Sequence, residues 1–294
     1  KNHVKQGKKY RVWPLMNFAV AIDDHEMGIT ATIRAKEHMD NEKRQKYLYD
    51  YFNWKAPKNM YLGRINFADM KISKTEVKKM IQAKKREGWD DVRLPFLPAL
   101  RRRGYSNKAL LKYAEEIGIT EVDKVTSKDE FFKIINSFNR EIIDKNANRY
   151  FAVLEPYKKI TIKKAPKKDV QLDLYPTIRL GGRNFYTEGG FYFEEKFKKD
   201  SIYRLMHLYN IKNREFVSEE VDNRLNAKFI HWLPANMKNI KIEVLMESNK
   251  IINGLAEESI NKIKEKEIIQ FERHFFAKCE EKTKDKIKFI YLHR

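Results

Sequence analysis

Near residue 70 the chain reads Lys71-Ile72-Ser73-Lys74-Thr75, lysines alternating with small hydroxyl side chains just ahead of an apolar periodicity at Val77, Met80 and Ile81. That spacing puts the lysines on a loop that opens a helix. Such a loop can fold over a triphosphate and offset the charge that develops as pyrophosphate leaves. The plainer alternative is a solvated loop in which Ser73 or Thr75 caps the helix. A second group of cations, Arg101-Arg102-Arg103, stands at the entry to a helical stretch, and lysine pairs recur at Lys158-Lys159, Lys163-Lys164 and Lys167-Lys168. Runs of this kind suit the oxygens of a phosphate backbone, or they keep a strand edge soluble.

Composition agrees with a polyanionic partner. The 294 residues carry 61 Lys and Arg against 41 Asp and Glu, a net charge of +20, and such an excess supports salt-dependent binding to nucleic acid. The basic residues are spread along the chain, which argues against a membrane-surface helix. At 42% hydrophobic residues the chain can build cores for two or three domains. No apolar run approaches the roughly 18–20 residues of a membrane span, and the first residues lack the apolar segment of a signal peptide. The single cysteine, Cys279, excludes an internal disulfide and a multi-cysteine zinc site. A cytoplasmic location and the absence of a bound metal are expected.

Three stretches must position these groups. Residues 1–86 mix strands and helices: Val12 to Ile22 is largely apolar and ends at Asp23-Asp24-His25, and Tyr47, Leu48, Tyr51 and Phe52 share a helix face within Asp40 to Phe52. Residues 87–148 read as helical. Ser106 is placed to cap a helix over Ala109 to Ile117, with Leu110, Ala114 and Ile117 on one face and Gly118 closing it. Ser127-Lys128-Asp129-Glu130 is a capping-box pattern ahead of Phe131, Ile134, Ile135 and Phe138. Residues 149–294 change to a period of two, with strands at Lys159 to Lys163, Val170 to Leu174, Ile240 to Val244, Ile268 to Cys279 and Ile287 to Leu292. Short strands with Gly, Pro and Asn turns suggest small β-barrels. Neither an internal repeat nor a low-complexity segment is present.

The motifs in order resemble those of the glutamyl- and glutaminyl-tRNA synthetases, class I enzymes, in their archaeal and eukaryotic branch. Lys71 to Thr75 matches the family's lysine-methionine-serine-lysine-serine loop, with Ile72 for methionine. Gly88-Trp89-Asp90-Asp91-Val92-Arg93 and Leu100-Arg101-Arg102-Arg103-Gly104 match its next block. Upstream, Trp13 to Ala19 and Ala21 to Thr30 are similar to the amino-acid pocket segment. Downstream, Ala147-Asn148-Arg149-Tyr150-Phe151-Ala152-Val153, Tyr203-Arg204-Leu205-Met206, Ile230-His231-Trp232 and Gln270-Phe271-Glu272-Arg273 are similar to the anticodon-binding barrels.

The resemblance implies a multi-domain α/β plus α plus β architecture: the C-terminal part of a class I Rossmann domain (1–86), a helical stem-contact domain (87–148), and two anticodon-binding β-barrels (149–294), one inserted in the other. It implies ATP-dependent ligation of glutamate to tRNA. Lys74 would contact the ATP phosphates, with Ser73 and Lys71 as loop partners and Mg2+ accompanying the ATP; no zinc is expected. Arg34 falls where glutamate-specific members carry arginine, and a guanidinium can pair bidentately with a substrate carboxylate; Asn17 and Asp24 belong to the same pocket. Arg101, Arg102 and Arg103 would face the inner side of the tRNA, and Arg149, which matches an arginine of the family's barrel entry, the anticodon; Arg179, Arg183 and Tyr186, near Gly181-Gly182, are secondary candidates. Phe151, Phe191, Phe193 and Phe271 read as barrel core instead. The expected partners are tRNA(Glu), with tRNA(Gln) as a second candidate, and no membrane. The family's histidine-rich signature does not occur here, so the chain is expected to need an N-terminal catalytic half, from the same gene or a second chain, and to be inactive alone. Met16, Ala31, Ala35 and Val92 depart from the family pattern. The alternatives are a glutaminyl-tRNA synthetase, a non-enzymatic tRNA-binding fragment, and a generic RNA-binding protein.

Overall fold

The computed structural model describes residues 2–70, 73–194 and 196–294. The chain divides into two compact units, Lys1–Ile72 with Lys112–Lys133, and Ser73–Leu111 with Ile134–Arg294.

In the first unit, α1 (Met16–Glu26), β1 (Ala31–Ala35), α2 (Met39–Tyr51) and β2 (Lys58–Leu62) follow in order, with β1 and β2 parallel from Ala31↔Lys58 to Ala35↔Leu62. A parallel pair needs a crossover, which α2 supplies. Gln45 and Tyr49, four residues apart, are the buried residues of α2, and the Tyr49 hydroxyl donates to the Ala21 carbonyl of α1 at 3.2 Å. The expected face of Tyr47 and Tyr51 is exposed instead. Next come β3 (Ile65–Phe67) and, much later, β4 (Lys124–Thr126), which pair in parallel. Phe131 packs edge-on against both Phe67 and Tyr113, at 5.1 Å each.

In the second unit α3 (Lys74–Gln82) places Val77 in a small core with Leu94 and Ala99. The helical character expected from residue 87 onward is absent over residues 87–96, which are turns and irregular chain, before α4 (Leu97–Arg103). Helices α5 (Asn107–Ile117) and α6 (Lys128–Ile143) contribute residues to both units. Ala109 and Tyr113 are the buried residues of α5 while Ala114 is exposed, so its inward face lies one residue from the expected one. The Ser127 hydroxyl accepts from Glu130 N at 3.1 Å, but the Glu130 carboxylate turns to the Thr126 hydroxyl at 2.8 Å. The cap therefore forms with its reciprocal half redirected.

The rest of this unit is β-structure. A seven-stranded sheet runs β5 (Asn148–Tyr150), Ile268–Phe271, Phe275–Lys282, Lys286–His293, Asn239–Leu245, Ile251–Glu257, β6 (Ala152–Leu154). Its two end strands are consecutive in sequence, joined by Phe151 alone, so the sheet curls until its edges nearly meet. Smaller sheets of three, four and two strands are built from residues 158–234. The strand expected over Ile268 to Cys279 is a hairpin: His274 N donates to Phe271 O at 2.8 Å, and Arg273 takes a left-handed φ of 57°. Along residues 150–153 side chains alternate between two cores. Tyr150 and Ala152 join Ile242, Phe271 and Phe289, whereas Phe151 and Val153 join Phe191, Tyr209 and Trp232. The period of two is used on both faces.

Candidate substrate pocket and nucleic-acid interface

In the first unit β1 carries Arg34 between the two helices. Its guanidinium donates to Gln45 Oε1 on α2 at 2.5 Å and reaches Asp24 Oδ2 on α1 at 3.4 Å. Gln45 in turn donates to the Asn17 carbonyl at 3.4 Å, and the Asn17 amide donates to Asn41 Oδ1 at 3.1 Å. The expected residues Arg34, Asp24 and Asn17 thus come together, joined by Gln45, which sequence reading missed although it lies one helical turn before Tyr49 on the buried face. The Arg34 side chain is 15% exposed. One carboxylate at 3.4 Å and one neutral amide leave guanidinium N–H groups able to take a second carboxylate. Burial, then the Asp24 charge, raise the pKa of Tyr49. Tyr61, the register partner of Arg34, donates to Glu42, and burial followed by that carboxylate pushes its pKa up to about 12. Both phenols therefore stay neutral at physiological pH and add no anion beside Arg34.

In the second unit Ser73 caps α3, its hydroxyl accepting from Glu76 N at 3.4 Å. Lys74 is the first helical residue, exposed and without an ion pair among the described residues. Lys71 lies outside the described residues. The block after this helix is structural. Asp91 is fully buried and accepts from Glu87 N, Arg93 N and Arg93 Nε at 3.0, 3.1 and 2.7 Å. Burial pushes its pKa up, but the Arg93 and backbone hydrogen bonds outweigh that and hold it at about 2.

The three arginines that end α4 have three fates. Arg101 is exposed. Arg102 is held by Glu280 at 2.9 Å and Glu87 at 3.4 Å. Arg103 is 2% exposed and donates to Leu292 O at 2.6 Å. Its expected contact with RNA is corrected: the guanidinium ties α4 to the last strand and presents nothing to solvent.

Arg183 needs the same correction. It is 2% exposed, with Glu257 at 2.8 Å and Glu272 at 3.0 Å, a buried ion network whose geometry is filled by protein. Burial opposes the low pKa of Glu272, but the His207 and Arg183 contacts hold it at about 2. Arg149 and Arg179 remain near the surface of this unit. Both guanidinium groups lie over the Tyr175 ring, at 4.6 and 5.2 Å, and Arg179 Nε donates to Asn148 Oδ1 at 2.6 Å. Arg149 also lines a cavity of about 510 Å³ with Arg140, Arg204, Arg273, His207, Gln270 and Glu272. Arg204 is buried and donates to the Glu219 and Glu220 carbonyls, at 2.6 and 3.3 Å. Arg273 lies over Phe229 at 5.2 Å. Four arginines line it with one carboxylate whose pKa is held low, beside the Phe229 ring and the Gln270 amide, and Arg149 also stands 3.9 Å from Asp144 Oδ2; the arrangement suits an unpaired base and its phosphate. Arg204, Gln270 and Arg273 stood within quoted motifs, yet only the fold gathers them. Tyr186 donates to Glu188 at 3.0 Å. Among the described residues no helix is long and apolar enough to cross a membrane.

Comparison with known proteins adds the wider setting. The catalytic-domain model of tRNA synthetases class I (E and Q) matches residues 1–145, and two models of the anti-codon binding domain of the same group match residues 147–231 and 229–280. The chain is similar to the glutamate–tRNA ligases of Methanocaldococcus jannaschii (37% identity, 99% of this chain and 54% of the relative) and Pyrococcus furiosus (36% identity, 100% and 53%). It is also 34% identical to that of Methanococcus maripaludis, over 99% of this chain and 54% of the relative. The chain spans about half the length of these curated relatives.

Proposed function

The chain belongs to the family of class I tRNA synthetases for E and Q, and on that premise we propose that it is the tRNA-reading part of a glutamate–tRNA ligase. The whole reaction joins glutamate to tRNA in two steps. The glutamate carboxylate attacks the α-phosphate of ATP, pyrophosphate leaves, and the terminal ribose hydroxyl of tRNA then displaces AMP from the adenylate. Lys74 offsets the phosphate charge, with Lys71 and Ser73 as its partners and Mg2+ carried by the ATP. Arg34 pairs with the side-chain carboxylate of glutamate, while Asp24, Asn17 and Gln45 hold its guanidinium in place. The adenylate step also draws on the part of the relatives that this chain does not span. Within the chain, residues 1–86 act as part of the catalytic fold, residues 87–148 contact the acceptor stem, and the two cores of residues 149–294 are two anticodon-binding barrels. Arg101, Arg102, Arg149 and Arg179 contact tRNA, and the arginine-lined cavity takes an anticodon base.

The observation that carries this reading is the Arg34 guanidinium, partly open and held by Asp24 and Gln45. In an enzyme completed with the remaining segment of a relative, Arg34→Ala should cut ATP–pyrophosphate exchange with glutamate by about 100-fold, the scale of removing one charged hydrogen-bond pair. Exchange should remain poor with glutamine in the parent enzyme. Unchanged glutamate exchange in the variant would sink the assignment, and equal use of glutamine by the parent would favour a glutaminyl enzyme. tRNA binding without adenylate formation in the completed protein would favour a non-enzymatic tRNA binder.

A further inference from the structure

One cavity of the second unit, about 540 Å³, gathers three cations beside one carboxylate. Arg101, Lys266 and Lys278 line it, with Gly104, Ser106 and Glu267. The Arg101 side chain is exposed and makes no ion pair or hydrogen bond among the described residues, and the same holds for the Lys266 ammonium. Lys266 is held in a left-handed conformation, φ 69°, by its N–H donating to Cys279 O at 2.8 Å. Lys278 reaches the end of α4, where its Nζ donates to Arg101 O at 3.0 Å. Gly104, at φ 110°, lets it pass: a Cβ there would stand 3.2 Å from Lys278 Cδ. Burial, then Arg101, lower the pKa of Lys278, and the Glu280 charge only partly opposes them, which fits cations brought close together. The nearest carboxylates are spent elsewhere. Glu267 accepts from Lys264 N at 3.0 Å and Asn148 Nδ2 at 3.5 Å, and Glu280 accepts from Arg102 at 2.9 Å.

We propose that Arg101, Lys266 and Lys278 form a clamp for a phosphate of the RNA backbone, separate from the arginine-lined cavity that takes a base. The inference rests on the tRNA-binding reading above and adds two lysines to it. The clamp positions RNA without reading its sequence, so it acts equally on every tRNA.

The test is filter binding of a tRNA(Glu) transcript to the full chain across a potassium chloride series. Lys278→Gln, Lys266→Asn and Arg101→Gln should each weaken binding about threefold to tenfold and lower the slope of log affinity against log salt by about 1. Asparagine tolerates the left-handed backbone at 266, and neither Arg101 nor Lys266 holds a fold contact through its side chain, so these two variants guard against a folding defect at 278. Their melting temperatures should match the parent. Parent-like affinity and slope in Lys266→Asn and Arg101→Gln, or a loss of affinity with an unchanged slope, overturns the clamp and the Arg101 contact with it, and leaves the wider tRNA reading standing. If the parent binds tRNA no better than an unrelated basic protein does, the tRNA reading and the clamp fall together.

Discussion

At Asp91 burial and charge oppose each other. It is fully buried, and its carboxyl pKa is nevertheless lowered from 3.8 to about 2 by Arg93 and backbone N–H groups. A carboxylate lowered in the folded state stabilises above its unfolded pKa and loses that contribution as pH falls through the folded one. Asp91→Asn should therefore cost about 2 kcal/mol at neutral pH. The gap between variant and parent should narrow below pH 3.8. Chemical denaturation at pH 7 and pH 3 checks both halves, and a gap that is absent at pH 7 or constant between them refutes the account. At this scale the sequence was informative wherever a motif tied a residue to its neighbours in the chain. Arg34, Asp24 and Asn17 meet as expected, whereas Arg103 and Arg183 looked like surface cations and are interior. The partners that bury them, Leu292 and Glu247 for one, Glu257 and Glu272 for the other, lie 74 to 189 positions away. Nothing local marks an arginine as theirs.

At the scale of elements, caps and periodicities located helices and strands well, and their inward faces less well. Ser73, Ser106 and Ser127 all accept hydrogen bonds from the N–H groups that follow them, because a cap is decided by a few adjacent residues. The face of α5 is shifted by one residue because Tyr113 finds a packing partner in Phe131, which a helical wheel cannot foresee. The run Ile268 to Cys279 looked like one strand because Glu272-Arg273-His274 contains neither Gly nor Pro, yet Arg273 adopts the turn conformation. Gly254 shows the opposite case, where a glycine is required by a neighbour. A Cβ there would lie 2.6 Å from Val153 O on β6, so Gly254→Ala must push apart the strand pair that carries the shared wall of both cores. We expect a loss of about 1–3 kcal/mol, the usual range for overpacking, with faster hydrogen exchange at Val153 and Leu255. Parent-like stability and exchange would show that the pair yields at no cost.

Across the whole molecule, the net charge of +20 pointed to a polyanion before any element was placed, because electrostatic attraction to phosphate depends on total charge and its distribution. Composition could not say where that polyanion would be read. The fold places Arg140, Arg149, Arg204 and Arg273 along one cavity together with Glu272, whose pKa is held at about 2. If the chain reads tRNA there, affinity must depend on the bases of the anticodon as well as on charge. The direct measurement is competition binding, at fixed near-physiological salt, between a tRNA(Glu) transcript and the same transcript with its anticodon bases replaced. We predict that the replaced tRNA binds at least about tenfold more weakly, the scale of one stacked and hydrogen-bonded base. Equal affinity of the two would contradict the reading.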